Sequence, residues 1–320
     1  MSTDVGVVIA SFEMLPADAT HIAGGKGASL ARMAGAGLPV PRGFVVCATA
    51  FQAFLDACGG TDIVARCTER LDVHDAVALT AASEEIQAHI LESPLASELD
   101  AAIRSAYRAV GPATAVAVRS SAVSEDGEAA SFAGQQETFL NVRGEDLIVR
   151  RVQECWASFF APRALFYRAE KGALRDTRMA VVVQEMVLAE KSGVLFTVDP
   201  VRKRRDRMVI EAVFGLGEGI VSGMITPDHY VIDRESGSLL DEFVAVQDQA
   251  VFHDPERGGT RHVELPEEQG AERVLTNDEL QQLRTVGLRL ERFFGSAQDI
   301  EWSIRGGELL LLQSRPITTL

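Results

Sequence analysis

Four segments of this chain carry side chains whose types and spacing suit the handling of anionic oxygen. The first is Gly24-Gly25-Lys26-Gly27-Ala28-Ser29, followed at helical spacing by Leu30 and Met33. Small residues let backbone N–H groups approach an anion, and the start of a helix adds a favourable dipole. Lys26 supplies a mobile positive charge. The segment is not a Walker-type phosphate loop, which needs Gly where Thr20 stands and a hydroxyl where Gly27 stands. Alone, it is equally a glycine-rich helix start.

The second is Val118-Arg119-Ser120-Ser121. Strand alternation puts Ala115, Ala117 and Arg119 on one face, and an Arg followed by two hydroxyls suits bidentate phosphate binding. In isolation a surface ion pair is the plainer reading of Arg119. Close behind, Ser131 to Thr138 joins a small-residue turn to a strand, a flap with Gly134 offering its N–H and Thr138 its hydroxyl. The third segment, Gln184-Glu185-Met186-Val187, ends an apolar strand. Its backbone polar groups suit the edge of a flat heterocycle such as adenine, with Met186 and Val187 over the face. An ordinary buried strand fits the same spacing.

The last segment is the most pointed. Asp299-Ile300-Glu301-Trp302 and Gln313-Ser314-Arg315-Pro316 read as paired strands turning at Gly306-Gly307. Alternation puts Asp299 and Glu301 on one face, and Gln313 with Arg315 on one face of the partner strand. A carboxylate and an amide oxygen beside phosphate oxygens make a Mg²⁺ site, since Mg²⁺ prefers hard oxygen ligands and keeps waters. Arg315 would then stabilise charge on a transferring phosphoryl group. Four polar residues ending an apolar hairpin are costly to bury without a ligand, which favours function here.

The elements that must position these residues follow from periodicity and punctuation. A strand is expected over Gly43 to Cys47 and a helix over Thr49 to Cys58, stopped by Gly59-Gly60. Two helices fill Asp75 to Val110, broken near Ser93-Pro94. Strands follow over Ala115 to Arg119 and Glu137 to Val142, then helices over Glu145 to Phe160 and Pro162 to Lys171. Further strands are expected over Ala180 to Gln184, Gly193 to Val198, Met208 to Ala212 and Tyr230 to Asp233. A helix opened by Thr276-Asn277-Asp278-Glu279 precedes the final hairpin. A helix-rich first half and a strand-rich second half predict an α+β protein of two lobes meeting near Gln184 to Val187, with a ligand in the cleft.

Composition narrows the partners. Lys+Arg number 31 against Asp+Glu 46, a net charge of -15, which opposes nucleic acid and anionic membrane surfaces. The basic run Arg202-Lys203-Arg204-Arg205 reads as a solvated hairpin tip. The start lacks a basic n-region, and no apolar run approaches the roughly 18 residues of a membrane span. Cys47, Cys58, Cys67 and Cys155 form no CxxC pair. Reduced, packed thiols in a cytoplasmic protein are the expectation.

Taken in order, these segments resemble the N-terminal nucleotide-binding domain of phosphoenolpyruvate synthase and pyruvate phosphate dikinase. They are also similar to rifampin phosphotransferase and the ATP-binding subunit of phenylphosphate synthase. The resemblance rests on GGKGASLARMAGAGLPVPRGFVV, AVRSSAVSEDGEAASFAGQQETFLNV, VVVQEMV with SGVLFTVDP, EAVFGLGEGIVSG with TPDHYV, and DIEW with LLQSRPIT. It implies an ATP-grasp-like fold with lobes over 1–185 and 186–320 and ATP between them. By the resemblance, Lys26 and Arg119 are phosphate-binding cations, and Gly134 and Thr138 are flap positions. Gln184, Glu185 and Val187 are adenine and linker contacts, Glu301 and Gln313 are Mg²⁺ ligands, and Arg315 is the catalytic arginine, acting with Lys26 and Arg119. The family cleaves ATP to AMP and phosphorylates a histidine on a swivelling domain, which passes the group to an acceptor domain. Although Thr20 precedes His21, none of His21, His74, His89, His229, His253 and His262 lies in the small-residue, Ser/Thr-His context of that phosphoacceptor. The swivelling and acceptor domains are therefore expected on a separate domain or subunit. One departure is Gln298, where the family more often has an apolar residue.

Two other functions fit part of the pattern. A non-catalytic nucleotide-binding regulatory module would not need Lys26, Arg119, Glu301, Gln313 and Arg315 together. An ATP-grasp ligase making an acyl phosphate would release ADP and need a substrate carboxylate site, which the sequence does not display.

Overall fold

The computed structural model describes residues 8–123, 137–174, 176–254 and 259–318. Helix and strand are mixed throughout, an α+β arrangement that divides into two compact units. The first comprises Met1–Ala36 and Arg42–Met186, the second Gly37–Pro41 and Val187–Leu320.

The first unit is built on an antiparallel sheet of β1 (Ile9–Ser11), β2 (Gly43–Val46), β3 (Val116–Ala122), β4 (Thr138–Val142) and β5 (Met179–Glu185), in the order β1-β2-β5-β3-β4. Its helices are α1 (Thr20–Gly35), α2 (Ala48–Cys58), α3 (Gly60–Thr68), α4 (Ala76–Glu92), α5 (Ser97–Val110), α6 (Glu145–Ser158) and α7 (Pro162–Glu170). Alternation sorts the two faces of the sheet. Phe44, Val46, Val116, Val118, Val181 and Val183 enter a core that includes Phe51, Phe54 and Trp156, whose rings stack at 5.1 Å. The opposite face carries Val45, Ala117, Arg119, Ser121, Val182 and Gln184, and α1 lies against it.

Most expected elements occur within a few residues of the predicted ends. Asp75 caps α4 by accepting from the N–H groups of Val77 and Ala78, as a helix start after a polar residue requires. The exception is α3, where Gly59-Gly60 reads as a stop. Gly59 does end α2 in the left-handed region, φ 73°, but the chain resumes as a helix at once and buries Val64. Burial overrides the glycine signal there.

The second unit has a six-stranded antiparallel sheet in the order β13-β12-β6-β7-β8-β9. Its strands are β6 (Lys191–Phe196), β7 (Arg207–Phe214), β8 (Asp228–Asp233) and β9 (Leu239–Phe243), with β12 (Gln298–Arg305) and β13 (Glu308–Pro316). A separate hairpin joins β10 (Gln249–His253) to β11 (Thr260–Glu264), and three helices complete the described part: α8 (Glu218–Val221), α9 (Glu267–Gly270) and α10 (Asn277–Phe294). The Thr276–Glu279 capping box opens α10 as expected, and α10 covers the sheet face that bears Leu195 and Met208. Beneath it lies a buried carboxylate. Asp228 accepts from the N–H groups of Ala245 (3.0 Å) and Val274 (2.8 Å) and from the Tyr230 hydroxyl (2.7 Å). These bonds tie the segments flanking β9 to α10 onto β8. The basic run is the turn between β6 and β7, exposed, with Asp199 accepting from the N–H groups of Val201 and Arg202.

Strand β9 has no counterpart in the sequence reading, because all five of its residues are exposed and no apolar alternation marks it. The four cysteines are free thiols, Cys47 and Cys155 buried. Burial pushes the Cys47 thiol up to about 11, so it stays protonated and inert at neutral pH. No helix among the described residues is long and apolar enough to cross a membrane.

Candidate functional site

Each unit carries a polar cluster on the sheet face opposite its main apolar packing. In the first unit the cluster starts at a break in α1. Gly24 has φ 65° and ψ 177°, so one helical run ends at Ala23 and another starts at Gly25. Lys26, half-buried, stands on the first turn of the second run. A Cβ on Gly24 would lie 2.2 Å from the Ser121 carbonyl oxygen and 2.4 Å from its hydroxyl, so only glycine allows this approach.

Arg119 lies on the same β3 face and donates to Gln184 Oε1 at 3.3 Å. Thr138 stands directly opposite Arg119 across β3 and β4, with its side chain exposed. The Gln184 amide nitrogen is buried and has no hydrogen-bond partner among the described residues. With its oxygen turned to Arg119, the amide has donors left for a ligand, and their burial without one is costly. Glu185 accepts from Arg42 Nε at 3.1 Å.

Two expectations change in the first unit. Ser120 and Ser121 do not both stand beside Arg119 as phosphate donors. Alternation turns Ser120 to the other face, within 3.4 Å of the Glu137 carbonyl, and Ser121 is engaged with the backbone of α1. The N–H groups of Glu185 and Met186 are taken by the carbonyls of Arg42 and Ala115, so these two are not available to an adenine edge. Gly134 lies outside the described residues. Val187, buried, is the first residue of the second unit after this strand.

In the second unit the register of β12 and β13 pairs Asp299 with Arg315 and Glu301 with Gln313. The four polar residues therefore share one face, as alternation predicts. Arg315 Nε and a terminal nitrogen reach the same Asp299 oxygen at 2.9 and 2.8 Å. Burial pushes the Asp299 carboxyl up, Arg315 opposes this, and Glu301 adds to it. Gln313 is buried and Glu301 half-buried. Pairing extends the row: Glu301 faces Val194 on β6, Val194 faces Glu211 on β7, and Glu211 faces His229 on β8. His229 Nδ1 lies 3.7 Å from Glu211 Oε1. Nothing in the local sequence marks Glu211 or His229 as partners of Glu301, because the cross-strand register that aligns them is set by pairing between distant strands. The departure at Gln298 is also accounted for: its side chain donates to Ser296 and accepts from Ser314 Oγ at 2.8 Å.

The oxygen donors of Glu301 and Gln313 are of the hard kind that Mg²⁺ prefers. One carboxylate and one amide oxygen face each other across adjacent strands, with a second carboxylate neutralised by Arg315. No group of three or more His, Cys, Asp or Glu able to hold a metal occurs among the described residues.

Comparison with known proteins decides the family. Residues 20–320 match the model described as pyruvate phosphate dikinase, AMP/ATP-binding domain. The chain belongs to this family. It is 46% identical over 304 residues to the probable phosphoenolpyruvate synthase of Archaeoglobus fulgidus, covering 93% of this chain and 40% of that one. The probable phosphoenolpyruvate synthase of Methanocaldococcus jannaschii is 44% identical, over 93% of this chain and 26% of that one. The rifampicin phosphotransferase of a Streptomyces species is 41% identical, over 93% and 34%. This dikinase-type nucleotide domain thus spans between about a quarter and less than half the length of these relatives.

Proposed function

We propose that this chain is the Mg-ATP-binding phosphotransfer module of a dikinase-type enzyme with an ATP-grasp-like arrangement of two lobes. In this reading residues of both units bind one nucleotide, and a histidine on a separate swivelling domain or subunit receives its phosphate. The observation that carries the proposal is the pairing of Glu301 with Gln313 and of Asp299 with Arg315 at one end of a single hairpin. A regulatory module would have no use for an arginine held beside a metal-ligand pair.

The chain's residues act by position and charge. Lys26 and Arg119 hold phosphate oxygens, with the Thr138 hydroxyl opposite Arg119 as a further contact. Gln184, oriented by Arg119, donates to the nucleotide, while Glu185 and Val187 line the adenine end. Glu301 and Gln313 would hold Mg²⁺, which when bound offsets charge on the bridging phosphate oxygens. Arg315, kept in place by Asp299, neutralises charge on the phosphoryl group in transit. The histidine nitrogen attacks the β-phosphorus, the bond from β-phosphorus to the α–β bridging oxygen breaks, and AMP leaves with that oxygen. The pyrophosphoryl group stays on the histidine. Arg315 and Asp299 contribute geometry and field, not a proton, since neither gains nor loses one in this step.

The test is calorimetric titration of Mg-ATP against the chain and its Glu301→Ala variant. Affinity should fall on the order of tenfold or more when a charged ligand to the ion is removed. Undiminished Mg-ATP binding by the variant would rule out Glu301 as a ligand. Product analysis separates the mechanism: ADP in place of AMP, with a histidine-bearing domain supplied, would rule out the dikinase route.

A further inference from the structure

We propose that Ser121 is the positioning residue that locks Lys26 in register with Arg119. The inference rests on the nucleotide reading of those two cations and adds a residue that acts through them. In a continuous α-helix the Ala23 carbonyl would accept from the N–H of Gly27, four residues on. The break at Gly24 removes that bond. The Ser121 hydroxyl stands in the gap: it donates to the Ala23 carbonyl at 2.9 Å and accepts from the Gly27 N–H at 3.2 Å. One side chain of β3 thus replaces one rung of α1, a known cause of a sharp helix kink.

The arrangement has no slack. Ser121 is fully buried, its single proton is committed to Ala23, and Gly24 lies so close that a Cβ would meet Ser121 at 2.2 Å. Lys26 sits between the kink and the Gly27 N–H that Ser121 holds. Arg119 is two residues from Ser121 on the same strand and the same face. The strand therefore sets the distance between the two cations through a hydroxyl that has no proton left for a ligand. Preorganised charge is the main resource of a phosphotransfer site, so the lock bears on phosphate binding and not only on folding.

The test compares Mg-ATP with AMP, which lacks the β and γ phosphates, by calorimetry on the chain and on Ser121→Ala, Ser121→Cys, Lys26→Met and the Ser121→Ala/Lys26→Met double variant. Ser121→Ala should weaken Mg-ATP on the order of tenfold, the usual scale of a buried hydrogen bond left unmade, and leave AMP within about twofold. In the Lys26→Met background it should have little further effect, since both changes remove the same interaction. Ser121→Cys, similar in shape but a weaker donor, should fall between, and it serves as the reporter should Ser121→Ala fail to fold. Equal loss of Mg-ATP and AMP affinity, or additive losses in the double variant, would overturn the positioning role. Wild-type Mg-ATP affinity in Lys26→Met would instead overturn the nucleotide reading of Lys26 itself, and the inference with it.

Discussion

Arg315 is where the chemistry of this chain is most exposed to test at the level of a single residue. Two of its nitrogens converge on one Asp299 oxygen, and Asp299 is a carboxylate that burial pushes toward protonation. A group raised in the folded state contributes stability below its ordinary value, 3.8, and loses it as pH rises through the raised value. Burial makes the ionised form of Asp299 costly, and Arg315 offsets part of that cost. Lysine keeps the charge but not the planar fork that this geometry uses. Arg315→Lys should slow single-turnover AMP formation on the order of a hundredfold, the scale for loss of one oriented charge-stabilising donor, with Mg-ATP affinity changed by less than about threefold. Equal losses in both measurements would make Arg315 a ground-state contact. Arg119 is a different case. Alone in the sequence it reads more plainly as a surface ion pair, and only the fold shows that it points the Gln184 amide.

At the scale of elements, α10 and its cap support the sheet that bears this site. Glu279 closes the capping box with Thr276 and also receives both contacts of Lys191 from β6, each at 2.8 Å. Burial alone would raise the Glu279 carboxyl. The Lys191 ammonium and the N–H and hydroxyl of Thr276 outweigh it, so the net shift is downward from 4.5. A depressed carboxylate contributes stability above its ordinary value and loses it as pH falls through the lowered one. Glu279→Gln should cost about 1–2 kcal/mol at pH 7, and the difference from wild type should shrink in acid below 4.5. Denaturant melts at several pH values would show this, and a pH-independent difference would contradict it. The Thr276-Asn277-Asp278-Glu279 signal is local, so the cap is legible from sequence. Its second job, anchoring Lys191 of a strand 88 residues away, is not.

On the scale of the whole molecule, a nucleotide bound by residues of both units, as proposed, would stabilise both. Binding to the native state alone stabilises by about 2.7 kcal/mol at a hundredfold excess over Kd. Its distribution is the informative quantity. With Mg-ATP present, amide exchange should slow in β3 and β5 of the first unit and in β12 and β13 of the second. Protection confined to one unit would contradict the two-lobe assignment and restrict the nucleotide site to that unit. If Glu301 and Gln313 are metal ligands as proposed, EDTA should abolish the share in β12 and β13 while leaving part of that in β3 and β5.

What the sequence determines by itself is the set of chemical groups and their local frame. Lys26 in a run of small residues, Arg119 on a strand, and Asp299, Glu301, Gln313 and Arg315 at alternate positions around a Gly-Gly turn are all readable, because short-range periodicity dictates which way neighbours point. Five ordered segments of this kind are enough to place the chain among dikinase-type nucleotide domains. Tertiary structure decides what each group is free to do. Ser121 looks like a phosphate donor beside Arg119, but a kink 97 residues earlier in the chain consumes its hydroxyl. Glu211 joins the row of Glu301 only through the register of two intervening strand pairs. Such relations depend on contacts between distant parts of the chain, and sequence periodicity carries no record of them.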